Sequence, residues 1–173
     1  SNTQAGHITL TANHILIQQQ SNISAIGDFG GGQILIGGSW QNSNSNIHQA
    51  ITNTIEQNVL IDASALTNGN GGEIVVWSDI TNSDSITIVS GSLLAKGGTQ
   101  SGDGGRIETS GYHLNTESIT VNAGSLFGQG GLWLLDPEFA SITQTIANSF
   151  RDTLNTGTSI ENLVEANMNW NAN

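Results

Sequence analysis

The sequence predicts an all-β fold, a right-handed parallel β-helix (solenoid) with a short C-terminal helix around 142–155. Three observations carry that expectation. A Gly pair followed by an alternating apolar run recurs four times: GGQILIGG from Gly31, GGEIVVWSD from Gly71, GGRIETSG from Gly104 and GGLWLLDP from Gly130. The composition is thin in charge (10%) and aromatics (5%) and rich in Gly (22 of 173 residues), yet Ile and Val fall in short alternating runs, so the chain should fold around a narrow, repeated core. The runs are also not joined by the two-to-five-residue turns that would mark the hairpins of a sandwich.

The opening phrases HITLTA, from His7, and HILIQQ, from His14, already alternate apolar with polar residues, and a weak version of a second phrase, ISAIGDFGGG, begins at Ile23. Aligning on the second Gly of each pair places Ile34, Ile74, Ile107 and Trp133 in one column and Ile36, Val76, Thr109 and Leu135 in another. Both columns are expected to face the core. Ahead of the later Gly pairs stand related phrases: VLIDASALTNGNGG from Val59, ITIVSGSLLAKGG from Ile86 and ITVNAGSLFGQGG from Ile119, the last two aligned at an offset of 33 residues. The unit reads as strand, small-residue corner, Gly-rich turn, strand. Successive first-column residues lie 40, 33 and 26 residues apart, a drift that loop insertions would explain.

A strand of four to six residues exposes half its side chains, so each unit needs its neighbours to close the core. Each inward Ile or Val then contributes roughly 1.5–3 kcal/mol on full burial. Parallel crossovers are right-handed in nearly all cases, which sets the hand, and neighbouring strands should stack ~4.8 Å apart. Gly and Asn at corners suit positive φ or close backbone approach, and stacked Asn, Ser and Thr could form hydrogen-bonded ladders.

After Pro137 the period changes. Ile142, Ile146, Phe150 and Leu154 recur every four residues, with Ser141 as a candidate N-cap and Gly157 as a stop, which predicts a helix of about three turns packing its apolar face on the β structure. The chain divides into repeats over 1–137 and a helix-containing tail over 138–173 that continues or caps them. Ser1 and Asn2 read as a tag remnant, and the Asn-rich end as a cut in mid-repeat.

Three Lys and Arg against 14 Asp and Glu give a formal net charge of −11, which argues against phosphate-based binding to nucleic acid or anionic lipid. Cys is absent, so disulfides, thiolate metal sites and a Cys nucleophile are excluded. No apolar run approaches the ~18 residues of a membrane span, and the N-terminus lacks the order of a signal peptide, so an export signal would lie upstream.

The phrases GGEIVVWSD (Gly71 to Asp79), AKGGTQSGDGGRIETSG (Ala95 to Gly111) and GGLWLLDP (Gly130 to Pro137) resemble large exoproteins of the filamentous haemagglutinin type, in the same order, over residues 31–137. The resemblance implies a β-helical shaft segment after the export domain of a two-partner secretion passenger, secreted to the outer-membrane surface of a Gram-negative bacterium. It implies an outer-membrane transporter during export, through an upstream domain, and a host or neighbouring-cell receptor or glycan as partner. The family's motifs here are scaffold motifs, so no receptor is carried over. The same likeness favours strands beyond Gly157, although Thr158 with Glu161 also fits the capping box of a second helix.

Little in the sequence points to catalysis. Polysaccharide lyases and hydrolases share the fold, but the basic residues are only Lys96, Arg106 and Arg151, and Asp62, Asp79, Asp103 and Asp136 read as turn residues hydrogen-bonding their own backbone rather than as an acid and base pair. The SGDGG turn at Asp103 offers a single carboxylate for Ca²⁺, and His7, His14, His48 and His113 lack ligand spacing, the first two being expected on solvent faces. Glu73 and Arg106 occupy equivalent outward positions and should form a cross-strand ion pair worth ~0.2–1 kcal/mol. Trp40, Trp77 and Trp133 could form an aromatic platform for sugars, but Trp133 belongs to a core column and Trp77 covers a corner. Ice binding requires a regular array of Thr-x-Thr on one face; TLT at Thr9 to Thr11 has the form, but the array is missing. The expectation is therefore a structural shaft or adhesion module with no enzyme activity and no catalytic, cofactor or metal residues; the alternative is a carbohydrate-binding or carbohydrate-active β-helix.

Overall fold

The structure, a computed structural model, describes residues 5–162 and 167–170; Ser1, Asn2 and the last three residues lie outside the described residues. The strands are β1 (His7–Leu10), β2 (His14–Ile17), β3 (Asn22–Ser24), β4 (Gln33–Ile36), β5 (Thr52–Ile55), β6 (Leu60–Asp62), β7 (Glu73–Trp77), β8 (Ile86–Val89), β9 (Ser92–Leu94), β10 (Arg106–Asn115), β11 (Thr120–Asn122) and β12 (Leu132–Ile142). Helix α1 (Gln144–Asn155) follows, then β13 (Ser159–Asn162) and β14 (Asn167–Trp170). The described residues are thus mostly β with one short α-helix, and all strand pairings among them are parallel.

The pairings make three stacks. The first runs β1, β4, β7, the start of β10, the start of β12 and β13; the second runs β2, β5, β8, the far ends of β10 and β12, and β14. Because β10 and β12 serve both, these two stacks form one ten-stranded sheet. The third, β3, β6, β9 and β11, is a separate four-stranded sheet.

The columns read from the sequence hold. Ile34, Ile74, Ile107 and Trp133 are direct register partners, as are Ile36, Val76, Thr109 and Leu135, and all eight are buried. They share one core with Ile55 and Val89 of the second stack and Ile61, Leu93 and Val121 of the third, so no stack buries its apolar side alone. The Gly pairs set how closely the turns approach. A Cβ on Gly72 would lie 1.9 Å from the Gly32 carbonyl oxygen and one on Gly105 2.1 Å from that of Gly72, so each turn rests directly on the one before. Side-chain ladders run beside them: Asn70 Oδ1 accepts from the Asp103 N–H at 2.8 Å, and Asp103 Oδ1 accepts from the Gln129 N–H at 2.7 Å.

One alignment is corrected. Ile86 lies in the second stack, opposite Thr52 and His113, whereas the residues that pair with Thr120, Val121 and Asn122 are Ser92, Leu93 and Leu94. The phrases beginning at Ile86 and Ile119 therefore belong to different stacks. The spacing drift has a single main source, chain inserted between the first and second stacks: segment 38–51 after β4 and the turn over 79–85 after β7, with none inside the continuous β10. Where those insertions leave the ladder, buried side chains replace the lost backbone partners. Asn53 Nδ2 donates to the carbonyls of Ile36 and Trp77, and Thr87 Oγ1 donates to that of Ser110.

The end of the chain also differs from expectation. β12 pairs onward to Ile142 and runs through Asp136, Pro137 and Ser141, so Asp136 sits in a strand rather than a turn, and Ser141 is not the N-cap. The cap is Thr143, whose hydroxyl accepts from the Ile146 N–H at 3.3 Å. Its replacement by Ala is expected to cost about 1 kcal/mol in urea denaturation. Helix α1 lies against β11, where the chain order would otherwise place another strand of the third stack. It buries Ile146 and Thr153 and packs Phe150 edge-on to Trp133 at 5.5 Å, while Leu154 is 55% exposed, so the apolar stripe closes on Thr153 rather than Leu154. Beyond Gly157 the chain returns to strands in β13 and β14.

Candidate functional site

Alternation in the first stack puts Gln33, Glu73, Arg106 and Leu132 in one outward row, and Leu35, Val75, Glu108 and Leu134 in the next. Solvent should cover such a face. Instead Leu35, Val75, Glu108 and Leu134 are all at most 4% exposed, and segment 38–51 folds back across the first three. Leu35, Val75 and Trp77 form a second, smaller apolar cluster with Trp40 and Ile47 from that segment and Ile80 from the turn after β7.

Polar contacts fix the covering segment. The Gln41 N–H donates to Glu108 Oε2 at 2.8 Å, the Trp77 indole N–H donates to Gln49 Oε1 at 2.9 Å, and His48 Nε2 is 2.7 Å from Asn13 Oδ1. Arg106 forms the expected ion pair with Glu73, and its guanidinium also stacks on the Trp40 ring, 4.4 Å from the centroid. Gln33 Nε2 donates to the same Glu73 carboxylate.

Glu108 is the unusual group. It is fully buried, and its second oxygen accepts from the Ser110 hydroxyl at 2.9 Å. Burial pushes its carboxyl up to about 7, with the charges of Asp136 and Glu73 adding to the rise and the hydrogen bonds from Gln41 and Ser110 opposing it. The carboxyl holds its proton more tightly folded than unfolded. Stability from this group is therefore complete below the ordinary value of 4.5 and is lost as pH rises toward 7, by on the order of 3 kcal/mol. A carboxyl sealed from water has no route to a substrate while segment 38–51 lies over it; what the arrangement does is store a proton near neutral pH.

No family model and no curated protein matches this chain.

The other candidate residues of the sequence are dispersed. Asp62 and Asp79 accept from backbone N–H groups two residues on, as turn carboxylates do, and Asp103 is bound into the ladder. Among the described residues no three His, Cys, Asp or Glu side chains are grouped to hold a metal ion. His7 and His14 lie on solvent faces. Trp133 is sealed in the core, with its N–H on Thr109 Oγ1 at 3.0 Å. Trp77 is itself covered, so neither presents a face to a sugar. No helix among the described residues is long and apolar enough to cross a membrane.

Glu108 is hidden from a sequence reading because it occupies an outward position in a polar phrase, RIETSG, which normally means water. The one hint lies 67 residues earlier, in the Trp and Ile of an otherwise polar insertion. A groove of about 500 Å³ elsewhere is lined by Leu66, Leu126, Lys96, Thr99, Asn122 and Ser125 among others; Leu66 is 50% and Leu126 76% exposed.

Proposed function

We propose that the chain is a length of right-handed parallel β-helix from the shaft of a secreted bacterial surface exoprotein of the filamentous haemagglutinin type, a structural or adhesion module without catalysis. The observation that carries this reading is the in-register succession of Ile34, Ile74, Ile107 and Trp133, with the other two stacks closing on the same core. A unit that completes its core only through its neighbours extends by repetition at little cost in new design, which suits a rod that holds a distal part away from a surface. The Gly-pair phrases and their order support the family placement, and with it export through an outer-membrane transporter.

A second reading, carbohydrate binding, is favoured by the groove at Leu66 and Leu126, where apolar faces adjoin an ammonium, amides and hydroxyls. Two assays on the purified chain separate the readings. The shaft reading expects no reducing ends or unsaturated uronates released from a panel of bacterial and host polysaccharides, and no glycan-array signal that depends on the groove. Protein-dependent release would overturn it in favour of an enzyme. Saturable glycan binding lost on Leu126→Asp would overturn it in favour of the groove.

A further inference from the structure

Segment 38–51 is held in a way that plain loop packing does not require. Its residues Gln41 and Asn42 have positive φ, 45° and 50°, in a tight turn closed by the Ser43 N–H on the Trp40 carbonyl at 2.9 Å, which aims the Gln41 N–H at the sheet. The contact made at that point is the hydrogen bond from the Gln41 N–H to Glu108 Oε2. Beneath lie Leu35, Val75 and Trp77, an apolar patch on the outside of a sheet.

We propose that segment 38–51 is a latch with the Glu108 carboxyl as its catch: it lies closed over the outer face of β4, β7 and β10 while that carboxyl is protonated, and lifts when it ionises.

The groups around the catch set the direction. β7 contributes Glu73, and β10 contributes Arg106, whose charge is engaged by Glu73 and whose plane stacks on Trp40. β12 contributes Asp136, and β4 contributes no titratable side chain. On the segment itself the titratable side chain is His48, bound to Asn13 at the far end, and Asp79, beside Ala50, is engaged by Thr81. An ionised Glu108, itself fully buried, thus faces the carboxylates of Glu73, which is paired with Arg106, and of the partly buried Asp136. Its bond from Gln41 strengthens with the charge, but that gain is smaller than the loss of hydration, as the raised proton affinity records. Lifting the segment returns water to the carboxylate. Acid closes the latch and neutral pH releases it.

Hydrogen exchange of the intact chain, read by mass spectrometry and scaled for the intrinsic pH dependence of exchange, tests this. Opening of 38–51 is expected to rise on the order of a hundredfold from pH 4.5 to 7 and to level off above that, while peptides over β5 and β6 stay more protected than the segment at every pH. In Glu108→Gln the segment stays protected across the range. His48→Gln keeps the wild-type rise, and Asp136→Asn, a second variant should Glu108→Gln fold poorly, gives a smaller rise that levels off at lower pH. Equal protection of the wild type at pH 4.5 and 8 would overturn the proposal. So would a wild-type rise in Glu108→Gln, or its loss in His48→Gln.

Discussion

Trp133→Ala is expected to destabilise the protein by about 3–5 kcal/mol, a large share of the 5–15 kcal/mol that holds a typical domain together. Trp133 stands in the column between Ile107 and Ile160 and is completely buried. Its ring is also the surface on which Phe150 of α1 rests, and its N–H satisfies the buried Thr109 hydroxyl. Removing it opens a cavity between the β core and the helix, so the loss should appear both in the urea midpoint and as a drop in helical circular dichroism below the global transition. Trp133→Phe keeps most of the volume and leaves Thr109 without its donor, which should cost about 1–2 kcal/mol. Leu126→Ala, on a side chain 76% exposed, should stay within about 0.5 kcal/mol.

Gly72→Ala should be comparably severe, at about 3 kcal/mol or more, and for a different reason. The new Cβ would meet the Gly32 carbonyl oxygen at 1.9 Å and that of Ala63 at 2.8 Å. Both carbonyls are already engaged, Gly32 by the Glu73 N–H at 2.9 Å and Ala63 by the Gly72 N–H at 2.7 Å, so relief of the clash breaks one bond that ties this turn to the one before and one that closes the turn itself. Gly157→Ala provides the control. That residue has φ of 84° and nothing within 4 Å of where the added methyl would sit, so its cost is conformational alone, about 1–2 kcal/mol. Urea denaturation of the two variants side by side separates a steric requirement from a backbone one.

These two sites also show what was legible in the sequence. The first stack was readable because the Gly pair fixes the phase of the strand after it: with Gly32, Gly72, Gly105 and Gly131 aligned, the parity of every following residue is determined. The second stack was not. Its inward positions include Asn53 and Thr87, which serve displaced carbonyls rather than the apolar core, so the period-2 signal is broken there. The misplacement of Ile86 has a related cause. Gly97 and Gly98 form an additional Gly pair inside a turn and mimic the pair at Gly130, although the true equivalent is Gly104 and Gly105. Short alternating phrases resemble one another wherever they occur, and only the contact between turns tells the stacks apart. The Glu108 site lay further out of reach, since its burial is created by chain inserted 67 residues away.

Consecutive turns lie directly on one another in three parallel stacks around one core. Because the chain has no Cys, introduced pairs report on this stacking without background. His7→Cys with Gln33→Cys, His14→Cys with Thr52→Cys, and Ser92→Cys with Thr120→Cys each place two thiols on register partners, one pair per stack, at a strand separation of ~4.8 Å. A short thiol-specific cross-linker should join all three pairs within the monomer and should leave His7→Cys with Thr52→Cys unjoined. Failure of the three register pairs, with ready joining of His7→Cys to Thr52→Cys, would contradict the stacked arrangement and the shaft reading built on it.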